Sequence, residues 1–212
     1  MKPKDRFDIV RYIEDKKIVA IIRSREAGSL VDAVTALQAG GISCIEVTMT
    51  TPGALKALEK VRAEKEDVLF GAGTVLDTET ARAAILSGAQ FIVTPALNPA
   101  VITICHRYDI PVIPGALTPT EILSAWESGA ECIKVFPASS LGPEYIKAIK
   151  APFPQIKLCP TGGIDLSNMK SYLQAGASCF GVGGKLVDST LIAGEKWSEL
   201  TEIARSYVKA LS

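Results

Sequence analysis

Two apolar stretches carry an ionisable residue at their centre: Cys44-Ile45-Glu46-Val47-Thr48 and Cys132-Ile133-Lys134-Val135-Phe136. Side chains along a strand alternate between two faces. Glu46 therefore shares a face with Cys44 and Thr48, opposite Ile45 and Val47, and Lys134 shares one with Cys132 and Phe136. An isolated charge is costly to bury, so each residue needs a partner or a chemical task. One reading is a purely structural lysine–glutamate pair. The other is catalysis, because desolvation disfavours an ammonium and a free amine can attack a ketone carbonyl. A nearby carboxylate opposes that loss of charge, yet it also supplies the base that carbinolamine formation and carbon–carbon cleavage require.

A second group of residues suits an anion. Pro160-Thr161-Gly162-Gly163-Ile164-Asp165 and Gly181-Val182-Gly183-Gly184-Lys185 each place a glycine pair after an apolar run. Glycines let backbone N–H groups approach a phosphate, and a following helix N-terminus adds positive potential. Each pair alone could be only a tight turn, and Lys185 could be a solvated lysine at a helix start. A third turn, Gly71-Ala72-Gly73-Thr74-Val75, either caps a helix through Asp77 or Thr78, or presents the Thr74 hydroxyl to a substrate carboxylate. Arg23, just after the run at 18–22, is either an anion clamp or a surface arginine.

The elements that must position these residues follow from periodicity. Short apolar runs at 18–22, 44–48, 68–70, 91–93, 111–113, 132–136, 156–159 and 179–182 alternate with longer amphipathic segments. Their starts lie roughly 20 to 26 residues apart, room for one helix and two short turns. That alternation implies parallel βαβ units. A weak repeat supports it: AGGISCIEVT (39–48), SGAQFIVTPA (87–96), SGAECIKVFP (128–137) and AGASCFGVGG (175–184) each end a helix on a small residue and a glycine, with a strand soon after. The expected architecture is a single α/β domain over 1–212, a (β/α)8 TIM barrel with an extra N-terminal helix near 6–15 and a closing helix near 197–211. An open doubly wound sheet is the alternative, but its glycine-rich turn after the first strand is missing. In the barrel, Glu46 and Lys134 point inward near the C-terminal strand ends, and the two glycine pairs follow strands seven and eight, a recurrent phosphate position.

The bulk properties narrow the class. Twenty-three basic and 23 acidic residues give a formal net charge of +0, so neither a nucleic acid nor a membrane surface is an expected partner. The charged N-terminus predicts no signal peptide. Five cysteines without a CxxC pair or disulfide pattern predict free thiols and a cytoplasmic setting. His106 is the only histidine and is expected on the surface of a helix over 101–108, so no metal is expected and the lysine route needs no cofactor.

Together IEVTMTTP (45–52), FGAGTVLD (70–77), FIVTPALNP (91–99), IPVIPGALTPTE (110–121), IKVFPA (133–138) and LCPTGGID (158–165) resemble the 2-keto-3-deoxy-6-phosphogluconate (KDPG) / 4-hydroxy-2-oxoglutarate (KHG) aldolase family. The resemblance implies a class I aldolase with Lys134 as Schiff-base lysine and Glu46 as its acid/base. It further implies that Thr74 and the Thr94-Pro95 segment line a pyruvate pocket and that Phe136 packs against substrate. Thr161, Gly162, Gly163, Gly183 and Gly184 would hold the phosphate, with Lys185 where many members have serine. It also implies a homotrimer. Thr50 stands where many members have arginine, and Arg23 could take that contact. FPASSLGPEYIKAIKA (136–151) resembles the phosphogalactonate branch, whereas PTGG (160–163) resembles the gluconate branch. Other phosphate-binding barrels, an isomerase, a synthase or a sugar-phosphate sensor, remain as rival readings.

Overall fold

The computed structural model describes residues 5–24 and 28–211; the charged segment 1–4, part of the terminus expected to lack a leader, lies outside the described residues. The expected alternation is present from end to end. Strands are β1 (Ile18–Ile22), β2 (Cys44–Thr48), β3 (Leu69–Gly73), β4 (Ile92–Val93), β5 (Val112–Ile113), β6 (Gly115–Ala116), β7 (Ile133–Val135), β8 (Leu158–Pro160) and β9 (Phe180–Val182). The helices are α1 (Arg6–Lys16), α2 (Leu30–Ala39), α3 (Ala54–Glu64), α4 (Thr78–Leu86), α5 (Pro99–Arg107), α6 (Pro119–Glu127), α7 (Gly142–Lys150), α8 (Met169–Gln174), α9 (Ser189–Ala193) and α10 (Trp197–Leu211).

All strand pairs are parallel, but they form two curled sheets rather than one circuit: β5-β4-β3-β2-β1-β9 and β6-β7-β8. The break between β5 and β6 falls at Pro114, which has no N–H to give to a ladder. Its carbonyl still accepts from the Lys134 N–H at 2.9 Å. At the other seam Ser178 N–H donates to Leu158 O at 2.8 Å, and a parallel bridge joins Thr161 to Gly181.

Alternation along the strands sorts side chains into two layers. Ile45, Val47, Phe70, Ile92, Ile133, Val135 and Phe180 pack outward against the helices. Val19, Cys44, Leu69, Phe91, Val93, Ile113, Cys132, Cys159 and Cys179 pack inward. The amphipathic α1 adds Ile9, Val10 and Ile13 to this inner cluster and so seals the end of the sheets from which the strands start. All five cysteines are free, and burial pushes the Cys44 and Cys105 thiols up to about 12, far from a reactive thiolate.

Glycines end helices as the repeat predicts. Gly41, Gly88, Gly129 and Gly176 have φ of +95°, +99°, +96° and +103°, a region costly for residues with a Cβ. Side chains cap helix starts: Asp77 accepts from Thr80 N–H at 2.7 Å before α4, and Thr118 and Glu121 form a reciprocal capping box on α6. His106 departs from its expected surface position. It is half-buried, with Nε2 3.6 Å from Glu131 Oε1, which also accepts from Arg6 Nε at 2.6 Å. The last turn of α5 faces the α6–β7 connection there, not solvent. Among the described residues no helix is long and apolar enough to cross a membrane.

Gly71 leaves the space that the Phe91 ring fills: a Cβ on it would lie 2.6 Å from that ring, which is fully buried. Gly71→Ala should therefore destabilise the fold by about 1–3 kcal/mol through overpacking, measurable as a lower midpoint in denaturant unfolding.

Candidate active site

A cavity of about 460 Å³ opens at the C-terminal ends of the strands. Arg23, Glu46, Thr74, Pro95, Lys134, Phe136, Thr161, Gly162, Gly163, Gly183, Gly184 and Lys185 all line it. Thr94 does not line it. Its hydroxyl donates to Ala96 O at 2.6 Å and accepts from Gly115 N–H at 3.3 Å, bracing the turn that presents Pro95.

Strand register sets the depth of the two charged residues. Glu46 pairs with Ile21 and Gly71, and Lys134 with Gly115 and Cys159, one level inside the rim. Both are buried, at 2% and 6% exposure. Burial raises the Glu46 carboxyl above its ordinary range, against the pull of Lys134 and Arg23. The carboxylate lies across β3 at Gly73, where a Cβ would sit 2.3 Å from its Oε1. Gly73 is thus fitted to Glu46, a relation that no sequence pattern announces. Lys134 Nζ lies over the Phe136 ring, 4.9 Å from its centroid.

Hydroxyls line the rim above Glu46. Thr48 is on the same face, as alternation predicts, yet sequence reasoning did not count it as a site residue. Its Oγ1 lies 3.0 Å from Thr50 Oγ1 and 3.3 Å from Thr51 Oγ1. Thr51 in turn accepts from Ser24 N–H at 3.2 Å, which ties the β2 loop to the segment carrying the exposed Arg23. Thr74 has φ +59°, an outlier for a β-branched residue, and the strain sits at the cavity mouth.

The end of the cavity where a phosphate was expected is lined largely by glycine backbone. Gly162 and Gly163 have φ of +93° and +73°, and a Cβ on Gly163 would lie 2.6 Å from Ser139 Cβ. A Cβ on Gly183 or Gly184 would meet nothing within 4 Å, so that pair opens freely onto the cavity. Here the expected helix N-termini fall short. α8 has six residues and starts only at Met169, and α9 has five; Lys185 is the lining cation at this end, beside Asp188. Thr161's hydroxyl donates to Cys159 O of the preceding β8 at 3.3 Å. Asp188 and Ser189 also line the cavity and escaped notice in the sequence; the signal available was Asp188 as cap of α9, accepting from Thr190 N–H at 2.8 Å.

Glu46 allows a linkage test. Because its folded-state pKa is raised, its ionisation opposes folding above the ordinary glutamate value of 4.5, and this penalty vanishes as pH falls below that value. Glu46→Gln should melt at a higher temperature than the parent at pH 8, with the gain shrinking toward zero as melts are repeated down to pH 4.

Comparison with known proteins agrees with this geometry. The sequence model of the KDPG and KHG aldolases matches residues 9–203. The 2-dehydro-3-deoxy-phosphogluconate aldolase of Haemophilus influenzae is 35% identical over 201 residues, covering 94% of this chain and 95% of that protein. That of Treponema pallidum is 37% identical over 199 residues, 93% and 94% of the two chains. The crystal structure of KDPG aldolase from Legionella pneumophila, with pyruvate captured at low pH as a covalent carbinolamine intermediate, superposes with a TM-score of 0.87 at 34% identity, covering 92% and 95% of the two chains. On the family match and these identities, the chain belongs to the KDPG and KHG aldolase family.

Proposed function

We propose that this protein is a class I aldolase that cleaves 2-dehydro-3-deoxy-6-phosphogluconate to pyruvate and glyceraldehyde 3-phosphate. The observation that carries the reading is a lysine, 6% exposed, on the inner face of β7 and on the same cavity as the buried Glu46. In this reading Lys134 Nζ attacks the C2 ketone, and Glu46 moves protons to and from the carbinolamine oxygen. Loss of water leaves an iminium. The C3–C4 pair then flows toward nitrogen as the C4 hydroxyl gives up its proton, releasing the aldehyde and leaving the enamine of pyruvate. Protonation at C3 and hydrolysis free pyruvate and regenerate the amine.

The remaining lining residues divide by chemistry. Arg23, with the hydroxyls of Thr48 and Thr74, suits the substrate carboxylate, and Pro95 and Phe136 give apolar walls. Thr161, Gly162, Gly163, Gly183, Gly184 and Lys185 suit the phosphate, which lies at the far end of an extended six-carbon acid. The same reading treats residues 1–212 as one domain whose two sheets work as a single (β/α)8 barrel, joined across Pro114 and the Thr161–Gly181 bridge. Homotrimeric assembly, which the family resemblance implies, and a cytoplasmic setting, which five free thiols suit, belong to it too.

Borohydride reduction in the presence of pyruvate should add the reduced adduct to the peptide containing Lys134, as read by mass spectrometry. Lys134→Ala should take no adduct and lose on the order of 10³-fold or more in kcat while melting like the parent. Turnover by that variant at the parental rate would end the Schiff-base reading. Cleavage rates on the phosphogluconate acid, its galactonate epimer and 4-hydroxy-2-oxoglutarate decide the substrate. Gly73→Ala, which pushes the Glu46 carboxylate aside, should lower kcat by about 10²-fold with little effect on KM.

A further inference from the structure

We propose that the π face of Phe136 is a catalytic group, stabilising the positive charge on the Lys134 nitrogen in the iminium rather than serving only as an apolar wall for substrate. The inference rests on the Schiff-base reading above and assigns a task within it.

Three observations place the ring. Lys134 Nζ stands over it, 4.9 Å from the centroid, within the distance at which a cation is attracted by an aromatic quadrupole. The nitrogen is nearly dry at 6% residue exposure, which strengthens that attraction relative to a surface pair. The ring also borders the β8 turn: a Cβ added to Gly162 would lie 3.6 Å from Phe136 Cδ2 and Cε2. The backbone N–H of Phe136 donates to Ala116 O at 3.1 Å, fixing the residue to β6. The ring thus neighbours both the amine and the first glycine of the β8 turn on the cavity wall, and 38% of the residue is exposed.

The charge on nitrogen changes along the reaction. The neutral amine attacks the carbonyl carbon, the carbonyl oxygen takes up a proton as nitrogen gives one up, and the carbinolamine that results is neutral. A second proton converts its hydroxyl to water. As the C–O bond breaks, the nitrogen lone pair forms the C=N bond, and nitrogen becomes positive. Bond cleavage to the enamine neutralises it again. A quadrupole favours only the charged states, so the ring draws the carbinolamine toward iminium, the state that serves as electron sink. Glu46 handles the protons but, as an anion when it has given one up, cannot favour the iminium without also holding it in place. The ring stabilises positive charge and exchanges no protons.

The test replaces Phe136 with 4-fluoro-, 3,5-difluoro- and 3,4,5-trifluorophenylalanine, which drain the quadrupole stepwise at nearly constant size, and with cyclohexylalanine, which keeps bulk without a π face. The readout is the initial rate of cyanoborohydride trapping at saturating pyruvate, which follows the iminium fraction. The logarithm of that rate should fall by equal steps per fluorine, by ~2- to ~30-fold overall, with cyclohexylalanine at or below the trifluoro value. A flat fluorine series, or parental trapping by the cyclohexyl variant, overturns the role of the ring while leaving the Schiff base standing. Absence of any pyruvate adduct on the parental Lys134 overturns both.

Discussion

The arrangement turns on the cost of burying two ionisable side chains between two curled sheets whose shared interior is otherwise apolar. The lower half of that interior is filled by Val19, Leu69, Phe91, Ile113 and four thiols, and α1 closes it from below. Glu46 and Lys134 sit at the boundary between this dry packing and the cavity. One level deeper, nothing could solvate or pair them; one level higher, water would screen their interaction and leave the carboxyl close to its ordinary acidity. Strand register, which fixes Glu46 beside Gly71 and Lys134 beside Cys159, therefore sets the chemistry as directly as side-chain identity does.

Space around the pair is obtained by omitting side chains. Gly73 gives the Glu46 carboxylate a flat strand to lie on, and Gly181 does the same for the Thr161 hydroxyl, where a Cβ would lie 2.4 Å away. At the β8 and β9 turns the same device leaves backbone open to the cavity. The glycines in this half of the molecule weaken strand and loop rigidity, since glycine loses the most conformational freedom on folding. The opposing half carries the dense aliphatic packing that offsets that loss. A strained Thr74 at the mouth fits the same division: rigidity below, tolerated strain above.

Much of this was legible in the sequence because it depends on periodicity of two. Alternation put Cys44, Glu46 and Thr48 on one face, and the helix-ending glycines at 41, 88, 129 and 176 located the starts of every second strand. What escaped was anything requiring knowledge of a neighbour distant in sequence. Pro114 splitting one strand into β5 and β6 changes a hydrogen-bond ladder, not a pattern of apolar residues. The fit of Gly73 to Glu46, the α1 plug, and the packing of His106 against Glu131 all join residues brought together only by the tertiary fold. The expectation of helix N-termini behind both glycine pairs failed because helix length is poorly specified where segments are short: α8 and α9 begin late and end early.

Glu46 shows why the local chemistry resists reading from residue types alone. Burial favours its neutral form, while Lys134 and Arg23 favour the anion, and burial is the larger effect. The net result is a carboxyl that holds its proton more tightly than an ordinary glutamate does. Arg23 enters that balance from the exposed rim, so an anionic substrate that pairs with Arg23 would remove part of the pull toward ionisation. Pairing of that kind would favour the protonated form of Glu46 further. The cation at the mouth and the acid at the floor are coupled through the field between them, without any contact that a motif could encode.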